Sequence, residues 1–157
     1  SKNCFFSNNS SIVKFFLNLK SYIIQQNVLG NEFTVDCYFN KNNKLIYALS
    51  RERLVKSNIS LTNKITNNQN LQNICNKVSS IFKFTGPINF QFIIDHKTKI
   101  PYLIEINPRL SGGVFFAIQC GFDPIDMAIE ERLNNNIVIP KKIKYGKYTR
   151  YLVSKKI

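Results

Sequence analysis

Two apolar segments joined by a short polar link constrain this chain more than anything else in it. The first reads Gly86-Pro87-Ile88-Asn89-Phe90-Gln91-Phe92-Ile93-Ile94-Asp95 and the second Tyr102-Leu103-Ile104-Glu105-Ile106-Asn107. The link, Asp95-His96-Lys97-Thr98-Lys99, suits an antiparallel hairpin. Side chains along a strand alternate faces with a period of two. Asn89 and Gln91 therefore share a face of the first strand, and Glu105 and Asn107 share a face of the second. Any register that pairs odd with odd residues brings all four together. The cluster is oxygen-rich, and Arg109 follows in Pro108-Arg109-Leu110-Ser111-Gly112-Gly113. Oxygen-only clusters suit Mg²⁺, which takes one or two protein ligands and fills its shell with water and phosphate.

The other elements follow from the same periodicities. Phe33, Val35, Cys37 and Phe39 alternate with Thr34, Asp36 and Tyr38, the pattern of a half-buried strand. Asn40 to Lys44 is turn material, and Leu45 to Leu49 returns as a second strand. Apolar residues at 71, 74, 75, 78, 81 and 82 predict a helix over Leu71 to Phe82. Ser111 to Gln119 reads as a short helix closed by Gly121. Asp123-Pro124 starts another, with Asp as N-cap and Pro at the first position, running Ile125 to about Leu133. Ile137 to Ile139 and Tyr145 to Val153 read as closing strands. The result is one α+β unit with no internal repeat.

Composition excludes several classes. A chain of 157 residues at 44% hydrophobic can bury a sizeable core. No run of some 18 apolar residues could span a membrane, and there is no signal-peptide pattern. Cys4, Cys37, Cys75 and Cys120 lack Cys-x-x-Cys or metal-ligand spacing, so small buried thiols in a reducing cytoplasm are expected. The single histidine, His96, lies in the hairpin turn, which excludes a histidine-rich metal site. The formal charge is +13 and the pI near 9.7. The lysines are spread along the chain and no nucleic-acid signature accompanies them, so nucleic acid is not the expected partner. The density of Asn, Lys, Ile, Phe and Tyr, whose codons are AT-rich, accounts for much of that charge.

The hairpin and its loop resemble the metal-binding end of an ATP-grasp domain, in the style of the carbamoyl-phosphate-synthase-like ligases. In that family a Gln on one strand and Glu-x-Asn-x-Arg fourteen positions later hold two Mg²⁺ ions and the triphosphate. Gln91, Glu105, Asn107 and Arg109 keep that spacing. Upstream, the run from Tyr22 to Asp36 is similar to the family's adenine hinge, with Gly30-Asn31-Glu32 in the place of Gly-x-Glu. The resemblance covers roughly Ile12 to Glu130.

The resemblance implies an ATP-grasp fold: an antiparallel sheet flanked by helices, with part of the small nucleotide-clamping lobe. Residues 1–50 would be the remainder of that lobe, and 51–157 the metal- and phosphate-binding lobe. Gln91, Glu105 and Asn107 would hold Mg²⁺ or Mn²⁺, with Glu105 bridging two ions. Asn89 would belong to the cofactor-binding set as a supporting partner of these ligands. Gln25 would face the adenine amino group, the backbone of Gln26 and Val28 would read the adenine edge, and Glu32 would accept from the ribose hydroxyls. Arg109 would lie against the γ-phosphoryl or acyl phosphate. Ser111, Gly112 and Gly113 would offer N–H groups to the acceptor substrate. Ser50 to Lys56 resembles the family's basic stretch near the phosphates, which nominates Arg51 and Arg53; two solvated arginines at a strand end remain the alternative. Lys2 would be the phosphate lysine, and Asn8 to Ser11 the loop over the phosphates.

The chain departs from the family at two places. Gln25 stands where Glu is more usual, and the segment from Lys2 to Val13 contains no glycine. A complete enzyme of this kind would also carry a preceding Rossmann-like domain, which these residues do not include. Ser1 is not Met, so a processed or cut chain is expected. The implied reaction is transfer of the ATP γ-phosphoryl to a carboxylate, with attack of an amine on the acyl phosphate. The implied partners are ATP and small carboxylate and amine substrates, with a homodimer left open. A non-catalytic nucleotide- or partner-binding remnant, and a basic nucleic-acid-binding module, are the other classes that stay open.

Overall fold

The computed structural model describes residues 3–6, 22–56 and 60–151; for 3–6, 22–24, 56 and 60 it describes the backbone alone. Lys2 and the segment Asn8 to Ser11 lie outside the described residues. The strands are β1 (Asn3–Phe6), β2 (Tyr22–Gln25), β3 (Gly30–Phe39), β4 (Leu45–Lys56), β5 (Ser60–Thr66), β6 (Gly86–Asp95), β7 (Pro101–Asn107) and β8 (Gly146–Thr149). The helices are α1 (Gln69–Ser79), α2 (Val114–Cys120) and α3 (Pro124–Asn134). β1 and β2 form a parallel pair. The other six strands make one antiparallel sheet in the order β7-β6-β3-β4-β5-β8.

Turn chemistry fixes two hairpins of this sheet, β3–β4 and β6–β7. Between β3 and β4, the Asn40 side-chain oxygen accepts from the N–H groups of Asn42 and Lys44 at 3.0 and 2.9 Å. Asn43 then takes φ = 62°, a left-handed conformation that Asn tolerates. Between β6 and β7, Asp95 Oδ1 accepts from Lys97 and Thr98 N–H at 2.8 and 2.7 Å. The Thr98 N–H, more than any other group, holds the Asp95 carboxyl below the usual carboxylate range.

Each face of the sheet has its own core. Phe33, Val35, Cys37 and Phe39 of β3 meet Ile88, Phe90 and Phe92 of β6 on one face. α1 covers them with Leu71 and Cys75, its N-terminus capped by Asn68 Oδ1 accepting from Leu71 N–H. Phe84 packs edge-on against Phe90, with ring centroids 5.6 Å apart. On the opposite face Tyr38, Leu49 and Ile65 pack under Phe116, Ala117, Cys120, Phe122 and Met127. Gly121 ends α2 at φ = 109°. Asp123 caps α3, its Oδ1 accepting from Ile125 and Asp126 N–H, with Pro124 in the first turn as the sequence predicts. The Tyr38 hydroxyl donates to Glu131 Oε2 at 2.8 Å, tying β3 to α3. Burial first, and then that carboxylate, push the phenol well above its ordinary pKa. Cys37, Cys75 and Cys120 are buried free thiols.

Several expectations change. Position 50 falls inside β4, and β3 pairs with both β4 and β6. The break in pairing falls between β2 and β3. Ile137 to Ile139 form no strand: Asn135 takes a left-handed conformation and Pro140 has no N–H to pair, while Ile137 is drawn into the second core. β8 is shorter than Tyr145 to Val153, and residues 152 and 153 lie outside the described residues. The helix expected from Ser111 begins at Val114, and that expected from Leu71 to Phe82 runs Gln69–Ser79.

Phe90 is fully buried between Phe39, Phe84 and Phe92, so Phe90→Ala leaves a cavity at the centre of the first core. Urea unfolding is expected to find the variant less stable by about 3–5 kcal/mol.

Candidate functional site

Pairing of β7, β6, β3 and β4 sets polar side chains in rows across one face of the sheet. Glu105 lies opposite Gln91, Gln91 opposite Thr34, and Thr34 opposite Arg51. In the adjacent row Asn107 lies opposite Asn89, and Asn89 opposite Asp36. The odd-with-odd register expected from the sequence therefore brings Asn89, Gln91, Glu105 and Asn107 together. It holds only up to a bulge at Ile104, beyond which Phe92 pairs with Leu103. Such bulges re-aim side chains beside functional sites.

Burial within the four is graded. Glu105 is exposed, Gln91 and Asn107 are half-buried, and Asn89 is 3% exposed. Among the described residues, the Asn89 side-chain oxygen and the Asn107 side-chain nitrogen are buried without a hydrogen-bond partner. A buried polar atom left unpaired costs about 1–3 kcal/mol, and two of them fall in this one cross-strand pair. The donor set is one carboxylate with amides. It fits a hard divalent cation that brings oxygen ligands of its own. Among the described residues no three His, Cys, Asp or Glu side chains gather to hold a metal by themselves.

The two arginines of β4 are placed very differently, and neither is a freely solvated side chain. Arg51 is 1% exposed. Its Nε donates to Asp36 Oδ2 at 2.6 Å, Nη1 to Asn63 Oδ1 at 3.0 Å, and Nη2 to Ser111 Oγ at 2.9 Å. Arg53 donates from Nη1 to Glu32 Oε2 at 3.0 Å, in a partly exposed pair. Glu32, Arg53 and Gln91 line a common cleft of about 190 Å³, with Ile93 and Ile104 in its wall. The sugar-binding candidate and one metal candidate thus share a cavity.

Arg109 is exposed on the loop after β7, its Nη1 donating to Leu110 O at 2.9 Å. Gln25 ends β2, and Gln26 and Val28 lie in the connector that enters β3. That connector is held to the β6–β7 turn by the His96 N–H donating to Leu29 O at 3.0 Å. The His96 ring reaches Asn31 Oδ1 at 2.7 Å, and Asn31 in turn donates to Glu52. Gly30, just after the connector, has no room for a side chain, because a Cβ there would collide with the Ile94 carbonyl oxygen.

The sequence reading missed Asp36, Asn63 and Ser111 as partners of Arg51. One signal was present: Asp36 interrupts the apolar surroundings of β3, and a carboxylate in a central strand needs a cation.

The fold and this face define the class: an ATP-grasp domain. The chain belongs to the family described as "ATP-grasp in the biosynthetic pathway with Ter operon", whose model matches residues 18–152. No curated protein matches the sequence. Among solved structures it is similar to N5-carboxyaminoimidazole synthetase from Staphylococcus aureus complexed with ADP, with TM-score 0.59 and 16% identity over 77% of this chain and 34% of that one. It is similar to biotin carboxylase from Campylobacter jejuni in its β-γ-ATP complex, with TM-score 0.61 and 17% identity over 78% and 30%. It is also similar to pyruvate carboxylase from Rhizobium etli, with TM-score 0.61 and 16% identity over 78% and 14%. At such identities the likeness defines the fold. The chain spans about a third or less of the length of these three proteins.

The two ion pairs predict different stability effects. Asp36→Ala leaves the Arg51 charge buried, and urea unfolding is expected to find a loss of about 3–5 kcal/mol. Glu32→Ala, at the partly exposed pair with Arg53, is expected to lose under about 1 kcal/mol.

Proposed function

We propose that this chain is the nucleotide- and metal-binding part of an ATP-dependent carboxylate–amine ligase. In that reaction a carboxylate oxygen attacks the γ-phosphorus of ATP and ADP leaves. An amine then adds to the acyl phosphate and displaces inorganic phosphate, losing its proton. The observation that carries this reading is the pair of cross-strand contacts, Gln91–Glu105 and Asn89–Asn107, with unpaired buried amide atoms between the latter. The ADP and ATP-analogue complexes named for two similar folds support it.

Glu105, Gln91 and Asn107 would hold Mg²⁺ or Mn²⁺. When bound, the cation supplies neutralisation of the charge that builds on the β- and γ-phosphoryl oxygens. The rest is done by the chain itself. Glu105 carries the negative charge of the ligand set, and the amides add oxygen donors without adding repulsion toward a polyphosphate. Asn89 would orient Asn107 from beneath. Glu32 would accept from the vicinal ribose hydroxyls, and its bond from Arg53 fixes its rotamer. Gln25, with the backbone of Gln26 and Val28, would meet the adenine edge, and Lys2 would reach a phosphate. Arg109 is free to turn from Leu110 O toward a transferring phosphoryl group, where a planar guanidinium donates two parallel bonds. Phosphoryl transfer asks mainly for such positioning and charge stabilisation.

Calorimetric titration with a non-hydrolysable ATP analogue tests the reading. Binding is expected to require Mg²⁺, and Glu105→Gln is expected to weaken it at least about tenfold, or ~1.4 kcal/mol. Equal affinity with and without Mg²⁺, or an unaffected variant, would remove the metal assignment. Binding without turnover of any carboxylate–amine pair would instead favour a nucleotide-binding remnant.

A further inference from the structure

We propose that Arg51 is a positioning residue that sets Arg109 for discrimination of a nucleoside triphosphate from a diphosphate; the role rests on the Mg-ATP reading above. Arg51 cannot touch a ligand, being 1% exposed with donors turned to Asp36, Asn63 and Ser111. What it does touch is the loop that carries Arg109. Its Nη2 donates to Ser111 Oγ at 2.9 Å. Its guanidinium also lies close against Gly113, where a Cβ would come within 2.6 Å of Nη1 and 3.0 Å of Cζ.

Arg51 is therefore the floor of the loop from Pro108 to Gly113. Asn107 O holds the near end of that loop, accepting from Arg109 N–H at 2.8 Å. Arg109 thus lies between two fixed points: the end of β7, which bears Glu105 and Asn107, and Ser111, two residues further on. Arg51 also lies in the row Arg51–Thr34–Gln91–Glu105. One buried cation consequently ties the position of the Arg109 loop to the sheet row that carries the ligand set. A lysine could not do this, since a single ammonium cannot reach Asp36, Asn63 and Ser111 at once from the fork positions that the guanidinium offers.

Ser111→Ala removes one bond and leaves Arg51 paired with Asp36 and Asn63, so the variant keeps the buried ion pair. The measurement is the ratio of affinities for a non-hydrolysable Mg-ATP analogue and for Mg-ADP, by calorimetry on the full chain. Arg109→Ala is expected to lower that ratio about tenfold, and Ser111→Ala to lower it several-fold toward the same value. The double variant is expected to match Arg109→Ala alone, because the serine acts through the arginine. Without nucleotide, amide exchange at residues 109–113 is expected to quicken in Ser111→Ala while β3 and β4 keep their protection. A ratio unchanged by Ser111→Ala, additive effects, or unchanged exchange in the loop would each overturn the positioning role. If the wild type binds neither nucleotide, the Mg-ATP reading falls and this proposal falls with it.

Discussion

A guanidinium removed from water at the middle of a sheet is the interaction on which the candidate site depends. Desolvating Arg51 and Asp36 costs several kcal/mol for each ion, and their mutual attraction returns this only if the remaining donors are also met. Asn63 and Ser111 meet them. β4 could not run unbroken from Leu45 to Lys56 if Arg51 faced this side without partners. β5 is recruited through Asn63, and the loop after β7 through Ser111. Four separated stretches of sequence converge because one charge has to be satisfied.

That cluster also divides the face of the sheet. Toward Tyr38, Leu49 and Ile65 the face is apolar and covered by α2 and α3. Toward Glu32, Arg53, Gln91 and Glu105 it is polar and opens into a cleft. The opposite face, under α1, is apolar through β3 and β6. Most of the hydrophobic stabilisation is thus concentrated beneath the first face and at one end of the second. The polar end is free to carry groups chosen for a ligand, since nearby packing holds the strands rigid without their help.

The hairpin of β6 and β7 was legible in the sequence because its signals agree: alternation in both strands, an Asp-led turn, and odd spacing between the polar positions. The caps at Asp123 and Gly121 were legible for the same kind of local reason. β5 was not. Ser60-Leu61-Thr62-Asn63-Lys64-Ile65-Thr66 has little apolar content, and its inward positions are Asn63 and Ile65, so a residue that serves as an acceptor for Arg51 stands where a strand pattern expects a hydrophobe. Ser50 to Lys56 reads as a basic stretch because a buried arginine and a partly exposed one look alike in one dimension. Which one is buried depends on Asp36, fifteen positions away, and on cross-strand register. The bulge at Ile104 was equally hidden, for nothing local distinguishes it from a regular strand residue.

The composition of the proposed ligand set would have a thermodynamic consequence. With Glu105 as its carboxylate and amides from Gln91 and Asn107 beside it, the cluster carries little negative charge, and Arg53 and Arg109 stand nearby. Such a set holds a bare divalent cation weakly, because amide dipoles replace hydration water at little net gain. A polyphosphate changes the balance by adding anionic oxygens to the same cation and by compensating the arginines. Each ligand then raises the affinity for the other by the same factor, as linkage requires. The proposed site would respond to the metal–nucleotide complex and little to either component alone.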